Sequence, residues 1–260
     1  MAVFNELSPL AIAFLSLIAF IAGFVESAAG GGGIIQLPAL LIQLPNLPFT
    51  TILGTNKIAG FSGTLVSAYQ YSKSVKFDFM LLVVVIIVAA IAAYVGASMV
   101  STIAPEKLKP LVLILLILIS LFTFFKKDLG TVTINTPSRS ARILWGIVLG
   151  ICIGFYDGFL GPGTGTFLVF GFVLLLGFEF LVASAYAKVI NCITNMATLF
   201  VFVSKGSYVF FIAFIMAFFN MLGNYIGSKV TMAKGNGFVR SVFMIMVLLM
   251  IIKYTCDVFK

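Results

Sequence analysis

The sequence predicts an all-α integral membrane protein, a polytopic bundle of two duplicated five-element halves, each with a short glycine-led helix. Three observations carry this expectation. Of 260 residues, 62% are hydrophobic and 9% charged, against about 25% charged in a soluble domain, and mean hydropathy is +1.20. The apolar runs are helix-length and lack the alternation of a membrane barrel strand. An internal repeat also runs through the chain at one offset of 131 residues.

The repeat lays Gly23-Phe24-Val25-Glu26 on Gly154-Phe155-Tyr156-Asp157, and Gly30–Gly33 on Gly161-Pro162-Gly163-Thr164. Lys57 falls on Lys188, Tyr94-Val95-Gly96 on Tyr225-Ile226-Gly227, and Lys109 on Arg240. Repeats therefore occupy 1–126 and 143–260, joined by a polar linker, 127–142, with Gly130, Thr136, Pro137 and Ser138 as its breakers.

In order, the first half predicts helices at 8–26, 33–45, 48–72, 77–101 and 108–125. The second predicts 143–158, 164–177, 180–203, 208–231 and 238–255. The first is read as a retained helix, because no basic n-region or small-residue cleavage site marks a signal peptide. The second element of each half starts at a glycine cluster. At 33–45 it would reach only about 20 Å, too short for about 30 Å of hydrocarbon. If it crosses, the halves are inverted; if it re-enters, they are parallel. Loop charges do not decide between the two. Inverted halves are expected because they give alternating access naturally.

Composition also excludes functions. With no His, a histidine proton shuttle, a His-bound metal and a Ser-His pair are all ruled out. The three cysteines have no metal-ligand spacing, and Cys152 and Cys192 read as inert packing residues. No cofactor is expected. The net charge of +8 lies mostly in short loops, as the positive-inside bias requires, so the partners are the lipid bilayer and a small anion, not nucleic acid. Gly146, Gly150 and Gly154 form a ladder for close helix packing within the chain, or else for a homodimer seam. Trp145, Tyr71 and Tyr208 read as an aromatic belt at helix ends.

Four ionisable residues lie inside apolar helices, where they are costly and usually mark a pathway, relay or bound ion. Lys57 and Lys188 are too deep to snorkel with ease and imply a polar cavity. Ser184, Lys188, Asn191 and Asn195 share one helix face, with Asn56 beside Lys57 in the first half. Glycines at a helix start expose backbone N–H groups to an anion. Gly30, Gly31, Gly32 and Gly33, and Gly163, Thr164 and Gly165, are the expected cradle. Glu26 and Asp157 are the candidates for proton coupling, or else neutralise the lysines. Ser184 and Lys188 could form a nucleophile–base pair, but the first half has Leu53 in place of Ser184, so no enzyme is expected.

The Gly-Phe-x-(Glu/Asp) turns followed by glycines, Gly54-Thr55-Asn56-Lys57, and Gly161-Pro162-Gly163-Thr164-Gly165 with Ala187-Lys188-x-x-Asn191 resemble the TauE/SafE family. The resemblance spans nearly the whole chain. It implies export or permeation of sulfite, organosulfonates or similar small sulfur-containing or carboxylate anions across the plasma membrane. The expected activity is secondary transport by alternating access, with a passive anion channel or a non-transporting scaffold as rivals.

Overall fold

The computed structural model describes residues 8–100 and 137–258. The helix expected at 108–125 and most of the linker lie outside them. The described residues form eight helices and no strand: α1 Pro9–Ala29, α2 Gly32–Gln43, α3 Phe49–Ser74, α4 Phe79–Met99, α5 Arg139–Phe159, α6 Thr164–Leu176, α7 Phe180–Ser204 and α8 Phe210–Val258. Five of these, α1, α4, α5, α7 and α8, are long and apolar enough to cross a membrane. The chain is a multi-pass membrane protein.

Local signals set most boundaries. Ser8 caps α1 by accepting from the Ala11 N–H at 3.2 Å, with Pro9 at the first helical position, where its missing N–H costs nothing. Ser138 caps α5 in the same way. The helix therefore starts at Arg139, four residues before the expected 143, because the polar first turn is exposed and needs no apolar face. Helix α2 runs through Pro38 and stops at Gln43, short of the expected 45. The helices expected at 208–231 and 238–255 are joined into α8, broken only where Gly235 adopts φ 71°. Glycine alone takes that conformation without strain.

Helix α3 is long enough to span at 26 residues, but it is absent from the apolar set because Thr55, Asn56, Lys57, Thr64 and Ser67 are all on its buried side. A helix this polar is held in the bundle by its neighbours rather than by lipid. Its own surroundings are α7, α8, α2 and α1.

The largest interfaces pair α1 with α8 and α4 with α5, and both depend on glycines. A Cβ on Gly223 would overlap the Phe20 carbonyl, and one on Gly158 the Ala93 carbonyl. Gly146, Gly150 and Gly154 pack on Val85, Val88 and Ala89 of α4, so this ladder is occupied within the chain. The contacts also give direction. Phe20 and Phe24 meet Gly223 and Gly227, and Gly54 and Gly63 meet Ser207 and Asn220, so α1, α3 and the first part of α8 run in one sense. Ala89 and Ala93 meet Gly154 and Gly158, so α5 runs with α4.

Some expected roles change. Tyr71 is not in an aromatic belt: it is fully buried, and its hydroxyl donates to the Ser27 carbonyl at 3.0 Å. Cys152 is exposed on the outer surface rather than packed inside, whereas Cys192 is buried.

The helix crossings can be tested by volume. Gly158→Val should lower unfolding stability in detergent by about 1–3 kcal/mol through overpacking. Gly237→Ala, whose Cβ meets nothing within 4 Å, should leave it unchanged or slightly raised. Equal melting temperatures for both variants would contradict the close crossing.

Candidate functional site

The four buried charges meet at the centre, and they pair across the halves. Lys57 Nζ lies 2.8 Å from Asp157 Oδ1, and Lys188 Nζ lies 3.4 Å from Glu26 Oε1. Each lysine stands a little over two turns into its helix, and each carboxylate lies in the last turn of α1 or α5. The antiparallel crossing of α3 and α7 brings the four helices' charges together. Sequence spacing groups Glu26 with Lys57 and Asp157 with Lys188; space pairs them the other way.

The short helices point their N-termini into this centre. Gly31 and Gly163 precede α2 and α6, both with left-handed backbone, at φ 85° and 91°. These two caps are 132 residues apart, so the second turn contains one residue more than the constant offset predicts. The carboxylate lengths match that difference. Glu26 Oε2 accepts directly from the Gly32 N–H at 2.5 Å. Asp157, one methylene shorter, reaches α6 through the Thr164 hydroxyl, which donates to its Oδ1 at 2.7 Å.

Of the backbone N–H groups in the expected cradle, that of Gly32 is therefore taken by Glu26, while Asp157 meets α6 through a side-chain hydroxyl. A carboxylate at a helix N-terminus satisfies unpaired N–H groups and the positive dipole end. Gly30 is not part of a cradle either: a Cβ there would overlap Gly165 backbone, so the two turns touch through bare main chain. Gly31 faces Met246 and Thr166.

Beside the ion pairs is a polar cavity of about 40 Å³, room for three or four waters at roughly 10–15 Å³ each. Glu26, Lys57 and Asp157 line it, as do Gly32, Gly33, Asn56, Gly163, Thr164, Gly165, Asn191 and Asn195. Lys188, expected there too, is fully buried behind Glu26 and does not line it. Asn195 accepts from Lys57 at 2.8 Å, and Asn191 donates to Glu26 at 3.1 Å. Ser184 is engaged elsewhere, donating to the Ala28 carbonyl at 2.9 Å.

Gly161 of the second glycine cluster and Thr64 also line the cavity, as do Gln36, Gly60 and Asn220, which were not among the expected site residues. Asn220 donates to Gln36 at 2.9 Å and to the Ala19 carbonyl at 3.2 Å. The signal that could have found them is the one that found the lysines: Gln36, Asn220 and Asn224 are amides in apolar helices. An unpaired amide in hydrocarbon is costly, so its presence there marks a polar interior.

A multi-pass helical protein with a charged, amide-lined centre at glycine-led half-helices is built as a membrane transporter. The chain belongs to the TauE/SafE family: the family described as "Sulfite exporter TauE/SafE" matches residues 15–254. A "Probable membrane transporter protein ORF9" of a Sinorhizobium species is 35% identical over 246 residues, covering 95% of this chain and 93% of that relative. A "Probable membrane transporter protein" of Haemophilus influenzae is 31% identical, covering 95% of each. "Probable membrane transporter protein YfcA" of Escherichia coli K12 is 30% identical over 260 residues, covering 99% of this chain and 95% of that relative. No solved structure matches the chain.

The ion pair is separable from transport in a stability experiment. Asp157→Ala strands Lys57 in a buried position and should cost about 3–5 kcal/mol, while the double change Lys57→Met with Asp157→Leu recovers most of that loss. Unfolding of the purified variants in detergent measures both. Losses that simply add would show that the two side chains are not coupled.

Proposed function

We propose that this membrane transporter moves small anions across the plasma membrane by alternating access, coupled to protons. The observation that carries the reading is the arrangement of the two lysines. Each is neutralised by a carboxylate that also bonds the start of a short helix, Glu26 at the Gly32 N–H and Asp157 at the Thr164 hydroxyl, so the centre can exchange its internal anions for an external one. An entering oxyanion would compete for the same donors as Glu26 and Asp157: ammonium groups, the Thr164 hydroxyl and N-terminal backbone N–H groups.

Proton coupling follows from charge balance. Two lysines and two carboxylates sum to zero, and an added anion would leave a net negative charge in a low-dielectric site. A proton on Glu26 or Asp157 removes that excess and releases a lysine to the substrate. Sulfite and small sulfonates fit the donor set, and the family's description adds support for that class.

Alternating access is supported by the helix directions. Helices α1 and α3 run one way and α5 and α7 the other, as two inverted halves would. The cavity is too small for anything beyond a few waters, so entry requires the halves to move. Their bare glycine contact at Gly30 and Gly165 lets backbone slide on backbone.

In proteoliposomes, Lys57→Ala and Lys188→Ala should each abolish uptake of sulfite or a small sulfonate, with protein folding checked by its melting temperature. Unchanged uptake in both variants would sink the reading. Flux that ignores the proton gradient and does not saturate would favour a passive channel instead.

A further inference from the structure

The two ion pairs are equivalent under the repeat but not in their surroundings. Glu26 has both oxygens occupied. Oε2 accepts from the Gly32 N–H, and Oε1 from Asn191 and Lys188. Its lysine does not line the cavity. Asp157 instead gathers its donors on one oxygen, Oδ1, which accepts from Lys57 at 2.8 Å and Thr164 at 2.7 Å. Oδ2 is buried and has no hydrogen-bond partner among the described residues. Its side chain is 1% exposed and lines the central cavity together with Lys57. An ionised oxygen buried without a donor costs free energy that a proton removes.

We propose that Oδ2 of Asp157 is the single proton acceptor of the centre, and that its protonation passes Lys57 to the substrate anion while Glu26–Lys188 stays closed. This rests on the anion-transport reading above and gives unequal roles to two residues treated there alike. The step balances. A proton entering from bulk solvent by way of the cavity water adds to Oδ2, making a neutral carboxyl group that still accepts from Thr164 at Oδ1. The Lys57 ammonium loses its counter-charge and takes the anion in its place, still held by Asn195. One monovalent anion and one proton enter together, with no net charge added.

The groups around Asp157 support this assignment. Lys57 faces it from α3, and Glu26 of α1 lies across the cavity. On α7, Lys188 is engaged with Glu26, while Tyr186 and Cys192 are held at Asp78 and Thr64. Helix α6 has no titratable side chain, and the only one on α4, Tyr94, is exposed.

Infrared difference spectra of the purified protein on acidification test the assignment directly. The wild type should gain a carboxylic-acid carbonyl band. Asp157→Asn should lose the band, and Glu26→Gln should keep it. Asp157→Glu, a second variant in case the first fails to fold, should shift its frequency. A band that disappears in Glu26→Gln, one that survives Asp157→Asn, or none in the wild type would each overturn the proposal. In proteoliposomes, Asp157→Asn should also lose the stimulation of sulfite uptake by an inward proton gradient. If the band follows Asp157 but the wild type takes up no sulfite or small sulfonate, the proton assignment stands and the transport reading falls.

Discussion

A lysine at the centre of a membrane-spanning helix costs about 2.5–3.5 kcal/mol on insertion scales, and this bundle buries two, Lys57 and Lys188. The crossed ion pairs offset that cost and dictate much else. Lys57 and Lys188 meet carboxylates from the opposite half only because α3 and α7 cross at the centre. The carboxylates arrive only because α1 and α5 end there. Small residues at the α1–α8 and α4–α5 crossings bring those ends close enough. Each carboxylate also bonds the first residue of a short helix, Gly32 by its N–H and Thr164 by its hydroxyl, so the helix starts, the charges and the crossings form one interdependent unit.

Much of this arrangement was legible from residue type and position alone. A glycine run before a short apolar segment locates a helix start, and a lysine deep in an apolar helix locates a polar interior. Pairing was not legible, because spacing along the chain reports neighbours on a helix and not across a crossing. Spacing left open which carboxylate meets which lysine; Glu26 lies 31 residues from Lys57 in the chain, yet Lys57 bonds Asp157, 100 residues away.

Other misses have similar physical causes. The donors of the glycine turns were read without counting the acceptors nearby, and Glu26 is itself the acceptor for Gly32. Tyr71 was placed by its position near a helix end, but a polar bundle interior can hold a tyrosine wherever a carbonyl such as that of Ser27 waits for it. The joining of two expected helices across Gly235 shows that one left-handed glycine can redirect a helix without the polar loop that usually marks a break. Gln36 and Asn220 were passed over because neither carries a charge, and only their meeting in space makes them a wall of the cavity.

The crossed pairing also constrains how the protein is made. At a synthesis rate of about 5–20 residues per second, the 100 residues between Lys57 and Asp157 take on the order of 5–20 s to emerge. Glu26 waits longer still, since Lys188 lies 162 residues downstream. During that interval α3 is too polar to settle in lipid unaided and its lysine has no partner. A chain halted before Asp157 would therefore leave the Lys57 ammonium without the carboxylate it meets in the finished fold.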